Sequence, residues 1–419
     1  VDFKEATING QAPDRGLYFP ESIPSIDREL VRNIGSFSEA ELAFRVIRPY
    51  VGESIPEKDL VQIVSETVNF PIPLVGLTAS IYSLELFHGP TLAFKDVGAR
   101  FMSRCLGYFV KDRKQHVTVL VATSGDTGGA VANGFYDVEG VEVVILYPSG
   151  KVSPVQEMQL TTLGKNIHAL EVEGSFDDCQ QMVKNAFADH DVRGRRFLTS
   201  ANSINVARWL PQQFYYFFAY KQWPDKTRPP VVSVPSGNFG NICAGILASH
   251  SGLPIKHFIA ACNANDVVPQ YLLTREFRPM QAIATLSNAM DVGNPSNFVR
   301  VLEIFGHRFP ELAERLSAAS ITDAETEEAI RQAYAQLGYT LDPHGAVGYL
   351  ALTRYLAAHP GEAGLFLETA HPVKFPGTVE KNTGLAPAIP PPVQQMMGSK
   401  KVSVLMKPGY ESLKEYLLS

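Results

Sequence analysis

The chain has 419 residues, 45% hydrophobic and 19% charged, which allows a sizeable core and two or three domains rather than one. Its 37 basic and 43 acidic residues give a net charge of −6 with no basic run, which argues against a nucleic-acid partner. Apolar runs such as Val141 to Tyr147 and Phe214 to Tyr220 are too short to span a bilayer, so no membrane partner is expected.

Prolines 13, 20, 24, 56, 71 and 73 punctuate residues 1–80, with helical patterns near 36–49 and 57–69, so a small, mostly helical N-terminal unit is expected. Phe94, Val97, Phe101, Cys105 and Tyr108 recur at three and four residues and predict a helix opened by Lys95, with Thr91 placed to cap it. From 117 the rhythm changes. Val117 to Ala122 reads as a buried strand, followed by the loop Ser124 to Gly128, a helix to about Asp137 and a strand Val141 to Tyr147. Ser175 to Asp178 reads as a capped helix start. A second round runs through a helix Asn205 to Trp223, a strand Val231 to Val234, a glycine loop, a helix to Ser251 and a strand Ile255 to Ala261. Residues 265–360 read as mainly helical, with a capping box at Thr322 to Glu325; the acidic stretch Asp323 to Glu328 is a solvated helix start. A strand Gly364 to Leu367 leads into Thr369-Ala-His-Pro372, and prolines from 387 to 392 precede a strand-like Val402 to Met406 and a terminal helix. Strands alternating with helices predict an α/β fold of parallel sheets covered on both faces. Cys105, Cys179, Cys243 and Cys262 lie far apart with no Cys-x-x-Cys pair, so buried, reduced thiols of a cytoplasmic protein are expected.

Four segments carry chemistry. An isolated lysine in a first helical turn is ordinarily solvated, but Leu92, Ala93, Phe94 and Val97 crowd Lys95 with apolar groups, and desolvation frees an amine to attack a carbonyl. Ser236-Gly237-Asn238-Phe239-Gly240-Asn241 follows a strand and opens a helix. Gly237 and Gly240 are expected to turn the backbone, Gly240 with positive φ, so that successive N–H groups meet a dianion. An ordinary strand-to-helix turn is the plainer reading, and the spacing matches neither nucleotide glycine pattern, which disfavours ATP and NAD. Ser124-Gly125-Asp126-Thr127-Gly128 has the same placement and could bind a carboxylate, or could simply be a helix cap. A lysine able to form an imine, a phosphate cradle and a second anion loop are together what pyridoxal phosphate (PLP) chemistry needs. Asn202, Ser203, Asn205 and Arg208 would make a further phosphate site separate from the first; taken alone, a polar cap with a surface arginine fits equally well. His88, His344 and His371 read as structural, and no cluster has metal-ligand spacing.

In these motifs, with Ala12-Pro-Asp-Arg-Gly-Leu-Tyr-Phe-Pro20, His88 to Asp96, Leu286 to Asp291 and Thr369 to Pro372, nearly the whole chain resembles the threonine synthases, in their longer bacterial and fungal branch. Two features depart from that pattern: no Tyr-x-Ser-Thr-Arg segment precedes the match, and Arg15 stands where glycine is more usual. The resemblance implies the tryptophan-synthase-β-like PLP fold (fold type II), two parallel-sheet α/β domains with the helical N-terminal unit. It suggests an N-terminal domain 1–80, a large PLP-binding domain from 81–105 and 206–386, a small substrate domain 106–205, and a linker and tail 387–419. It implies Lys95 as catalytic residue and Schiff base, Ser236 to Asn241 as the PLP phosphate cup, and Thr369 at the pyridine nitrogen. Ser124 to Thr127 would take the substrate carboxylate, and Asn202, Ser203, Asn205 and Arg208 the substrate phosphate. Asp126 replaces an asparagine of many relatives and would repel the cofactor's phenolic oxygen, so it is expected to organise the loop through backbone amides. The implied reaction makes L-threonine and phosphate from O-phospho-L-homoserine and water. The alternatives are another lyase of the same fold, such as threonine dehydratase, or a silent homologue that binds a phosphorylated amino acid.

Overall fold

The computed structural model describes residues 1–111 and 116–419. Its strands are β1 (Leu74–Gly76), β2 (Ile81–Glu85), β3 (Val117–Ala122), β4 (Val141–Pro148), β5 (Ile167–Val172), β6 (Phe197–Ser200), β7 (Val231–Pro235), β8 (His257–Cys262), β9 (Leu316–Ser320), β10 (Gly364–Glu368) and β11 (Val404–Met406). They form a six-stranded sheet in the order β1-β2-β10-β7-β8-β9 and a five-stranded sheet in the order β11-β5-β4-β3-β6. Among the described strands only the β1–β2 pair is antiparallel. β3, β7, β8 and β10 are buried at every position, as expected of parallel strands with helices on both faces.

Four departures from the expected elements have physical causes. β1 and β2 lie in and just beyond the stretch read as helical and supply the edge of the larger sheet. β9 lies within the stretch read as helical; its Leu-Ser-Ala-Ala-Ser sequence has weak strand propensity, and pairing with β8 imposes the extended form. The helix expected from Asn205 to Trp223 is cut into Val206–Trp209, a 3-10 turn Leu210–Gln212 and Gln213–Gln222, because Pro211 lacks an N–H and crowds the preceding turn. Thr91 does not cap the Lys95 helix. Its N–H and hydroxyl instead donate to the Asp96 carboxylate at 2.9 and 2.5 Å.

The N-terminal helices Phe3–Asn9, Glu39–Val51 and Glu57–Thr67 share the main apolar core. Arg15 has φ of +69°, the left-handed region that suits the glycine usual there. Nearby, Arg300 donates to the Tyr18 and Ile204 carbonyls at 2.8 and 2.7 Å, and its guanidinium lies 4.3 Å from the Trp209 ring centre. That buried arginine ties the N-terminal segment to the 202–205 loop. At the other end, β11 pairs with β5, and helix Tyr410–Leu418 buries Leu413 and Leu417 beside Cys179 and Met182. The four cysteines are buried and unpaired. Among the described residues no helix is long and apolar enough to cross a membrane.

The topology decides where chemistry sits. The Lys95 turn follows β2, and the loops at 123–128, 201–205, 236–241 and 369–374 follow β3, β6, β7 and β10. All five leave the C-terminal ends of parallel strands, where open α/β sheets place their ligands.

Candidate active site

Lys95 opens the helix Lys95–Val110 from a turn stitched to the end of β10. The Phe94 N–H donates to the Thr369 carbonyl at 2.9 Å and the His371 N–H to the Leu92 carbonyl at 3.0 Å, while the Tyr215 hydroxyl donates to the Phe94 carbonyl. Leu92 is held at φ of +60°, a strained value for a side chain of its size. Lys95 is half-buried, and among the described residues no hydrogen bond or ion pair holds its ammonium; the Phe94 ring centre is 5.7 Å away. Burial lowers its pKa to about 8, helped by the Lys374 and Arg208 charges and opposed by Asp126.

Asp126 does not bind backbone amides as expected. Its Oδ1 contacts Lys374 Nζ at 2.7 Å and accepts from Gln156 Nε2 at 3.0 Å. Burial pushes this carboxyl up, but the Lys374 and Lys95 charges outweigh it and hold the group below the usual carboxylate range. Thr123 organises the loop instead, its Oγ1 accepting from the Gly125 and Gly128 N–H groups at 2.9 and 2.8 Å. Ser124 and Thr127 flank Gly125 and Asp126 at the helix start, and Gly125 has φ of +131°, where a side chain would also strike Gln156.

In the second loop positive φ falls on Phe239 at +61°, not on Gly240. A Cβ on Gly240 would meet Asn297 and Ser203 at an ordinary 3.4 Å, whereas one on Gly237 would lie 2.6 Å from Met290 Cα. Gly237 is therefore the position that only glycine fits. Ser236 donates its hydroxyl to the Val234 carbonyl, and Tyr216 donates to Asn241 Oδ1, leaving Asn241 Nδ2 buried without a partner. Gly237→Ala should force the 288–290 turn to shift. An overpacking cost of about 1–3 kcal/mol corresponds to roughly 5- to 150-fold weaker PLP binding, read by titrating cofactor into the stripped protein. Unchanged affinity would remove this loop as the cup.

The third constellation divides. Asn205 is committed to protein partners: its Oδ1 caps Ala207 N–H at 2.9 Å and its Nδ2 donates to the Thr7 and Ser200 carbonyls. It shapes the loop and is not free for a ligand. Asn202 and Ser203 remain half-buried. Ser203 Oγ accepts from Asn238 Nδ2 at 2.8 Å and from Asn297 Nδ2 at 3.2 Å, so the loop expected to be separate from the cup adjoins it. Arg208 is 2% exposed; it donates from Nη1 to the Ala201 carbonyl, while its Nε is buried without a partner. Burial lowers its pKa to about 10. Among the described residues no carboxylate makes an ion pair with it, though Asp96 acts on it electrostatically.

Sequence reasoning missed Lys374, which is fully buried, and Arg300 and Asn297, which brace the Ser203 loop. The flanks Val373 and Phe375 marked Lys374 much as Phe94 marked Lys95. Burial lowers the His371 pKa to about 4, and His344 bonds Asp342 at 2.6 Å. Among the described residues no group of His, Cys, Asp and Glu is arranged for a metal.

The residues present fit PLP: a low-pKa amine without an ion partner, a glycine-backed loop at a helix start, and an orphaned buried amide at Asn241. Comparison with known proteins points the same way. Residues 69–366 match the family described as pyridoxal-phosphate dependent enzyme, residues 1–68 the threonine synthase N terminus, and residues 345–417 the threonine synthase C-terminal region. The chain is 46% identical over 385 residues to a threonine synthase of Escherichia coli (strain K12), covering 92% of this chain and 89% of that one. A crystal structure of threonine synthase from Escherichia coli superposes with a TM-score of 0.93 at 43% identity, covering 100% of this chain and 96% of the other. A PLP-bound threonine synthase from Brucella melitensis matches with a TM-score of 0.93 at 35% identity over the same shares. With matched segments running from residue 1 to residue 417 and a site that fits the cofactor, the chain belongs to the threonine synthase family of pyridoxal-phosphate-dependent enzymes.

Proposed function

We propose that the protein converts O-phospho-L-homoserine and water to L-threonine and inorganic phosphate, and that it works in the cytoplasm. One observation carries the substrate choice: Arg208, buried, unpaired with any carboxylate and with Nε orphaned, lies within electrostatic reach of Lys95. Unphosphorylated threonine has only its carboxylate, which Ser124 to Thr127 would take, and so brings no second anion for Arg208. The buried, unpaired cysteines support a reducing compartment.

Bound PLP supplies an electron sink for the substrate's α-carbon. Ser236 to Asn241 would hold its phosphate, with Asn241 Nδ2 as a ready donor and Gly237 keeping the loop against the 288–290 turn. Thr369, locked to Phe94, would meet the ring nitrogen. Ser124, Gly125 and Thr127 would receive the substrate carboxylate through hydroxyls and backbone N–H groups at a helix start. Asn202, Ser203 and Arg208 would grip the γ-phosphate. Lys95, with a pKa near 8, is poised to take a proton from Cα and return it elsewhere on the chain. In the net change the Cγ–O bond breaks and phosphate leaves with its electron pair. The hydroxyl of water adds at Cβ, Cγ gains a proton, and the proton lost from Cβ leaves with phosphate.

The test is the product balance of the PLP-loaded protein given phosphohomoserine. Threonine and phosphate should appear in equal amounts. A protein that instead forms an oxo acid and ammonia from threonine, with phosphohomoserine untouched, would be a dehydratase.

A further inference from the structure

We propose that Lys374 is a positioning residue for Lys95: by occupying the Asp126 carboxylate inside the protein, it leaves the Lys95 amine without an ion partner. The inference rests on the reading of Lys95 as the reactive amine. Three segments meet at Lys374. Its Nζ lies 2.7 Å from Asp126 Oδ1 and donates to the Thr91 carbonyl at 2.8 Å, four residues before Lys95. Lys374 itself sits five residues beyond Thr369, at the end of the same turn. Both Lys374 and Asp126 are buried, and Gln156 also donates to Oδ1.

The count of charges gives the arrangement its consequence. Among the described residues Asp126 is the carboxylate that acts on Lys95, and it feels both lysines; of the two, Lys374 is the one in contact with it. The other charged groups do not change that pairing. Arg208 is a further cation near Lys95, Asp96 is bonded to Thr91, and His371, near Lys374, is held neutral by burial. Without Lys374, a buried carboxylate would lack its cation, and Lys95 is the ammonium best placed to replace it. Lys95 would then be held protonated, as an ion-pair partner rather than a nucleophile. An aspartate next to the cofactor site is tolerable because this second lysine neutralises it.

The experiment uses full-chain protein freed of cofactor. Lys95 is titrated by competitive labelling with acetic anhydride across pH, and the extent of modification is read by peptide mass spectrometry. Lys374→Met should raise the Lys95 midpoint by roughly one unit or more, the usual effect of an opposite charge newly in contact. Lys374→Gln, which keeps a donor to Thr91 but not the charge, should do the same and serves if the Met variant does not fold. Adding Asp126→Asn to either should bring the midpoint back to or below that of the parent. A merely structural role for Lys374 would not be rescued in this way. An unchanged Lys95 midpoint in a folded Lys374 variant, or a rise that Asp126→Asn fails to reverse, would overturn the proposal. If the midpoints move as expected yet the protein binds no PLP, the fault lies with the functional reading and not with the lysine pair.

Discussion

Lys95→Ala should abolish phosphate release from phosphohomoserine and remove the yellow colour of the PLP-loaded protein. The wild-type amine is desolvated, and its pKa of about 8 leaves about a tenth of it unprotonated at pH 7. A solvated lysine would have roughly three parts in ten thousand. That difference favours imine formation in the resting protein and proton transfer during turnover. The alanine variant loses both functions, so the rate should fall by roughly 10³-fold or more. Borohydride reduction of the loaded wild type, followed by peptide mapping, should mark Lys95. The variant should still fold, since the ammonium holds no hydrogen bond and the turn is secured by Phe94, Leu92 and Tyr215 through their backbone and hydroxyl contacts. A protein that stays colourless with added PLP, or is marked at another lysine, would refute the assignment.

The parts of the fold that could be read from sequence are those in which local pattern and tertiary context agree. The Lys95 helix shows an apolar stripe, β3 an apolar run interrupted by Thr118, and the helices after Ser175 and Thr322 carry capping boxes that form as expected. What escaped was set by distant partners. Leu316 to Ser320 is a strand because β8 offers an edge, not because of its own residues. β2 is placed by β10, which lies almost three hundred residues on in the chain.

The site divides along the same line. Lys95 and the two glycine loops stand out because each sits at a strand end with a local signature, whereas the family resemblance alone singles out Thr369. Asn205 shows the limit: a cap and a ligand have the same sequence signature, and only its bonds to Thr7 and Ser200 distinguish them. Gly237 and Gly240 look alike as letters, yet only the first has backbone 2.6 Å from where a side chain would begin. Lys374 acts across a gap of 248 positions to Asp126, a pairing no local motif announces.

Arg208→Ala should reduce kcat/KM for phosphohomoserine while leaving PLP content unchanged. Losing one charge-assisted contact to a phosphate costs on the order of 1.5–3 kcal/mol, which is roughly 10- to 150-fold in rate at low substrate. The guanidinium is anchored by one bond to the Ala201 carbonyl and packed against Gly98, where a Cβ would lie 3.2 Å from Arg208 Nε. Among the described residues its Nε has no hydrogen-bond acceptor, and the carboxylate that acts on it, Asp96, does so without an ion-pair contact. Arg208→Lys keeps the charge but lacks the planar fork, and should recover only part of the loss. Arg208→Met fills the space without charge and separates packing from phosphate recognition; it should behave like alanine in rate and better in thermal stability. Because Ser203 touches Asn238 of the PLP cup, cofactor affinity must be measured in each variant. The prediction is specific: retained PLP, weakened use of phosphohomoserine, and unchanged binding of an amino acid without a phosphate. If Arg208→Ala stripped the cofactor instead, the arginine would belong to the cup. If turnover of phosphohomoserine were untouched, the anion awaited by Arg208 would not be the substrate's phosphate, and the dehydratase reading would regain its ground.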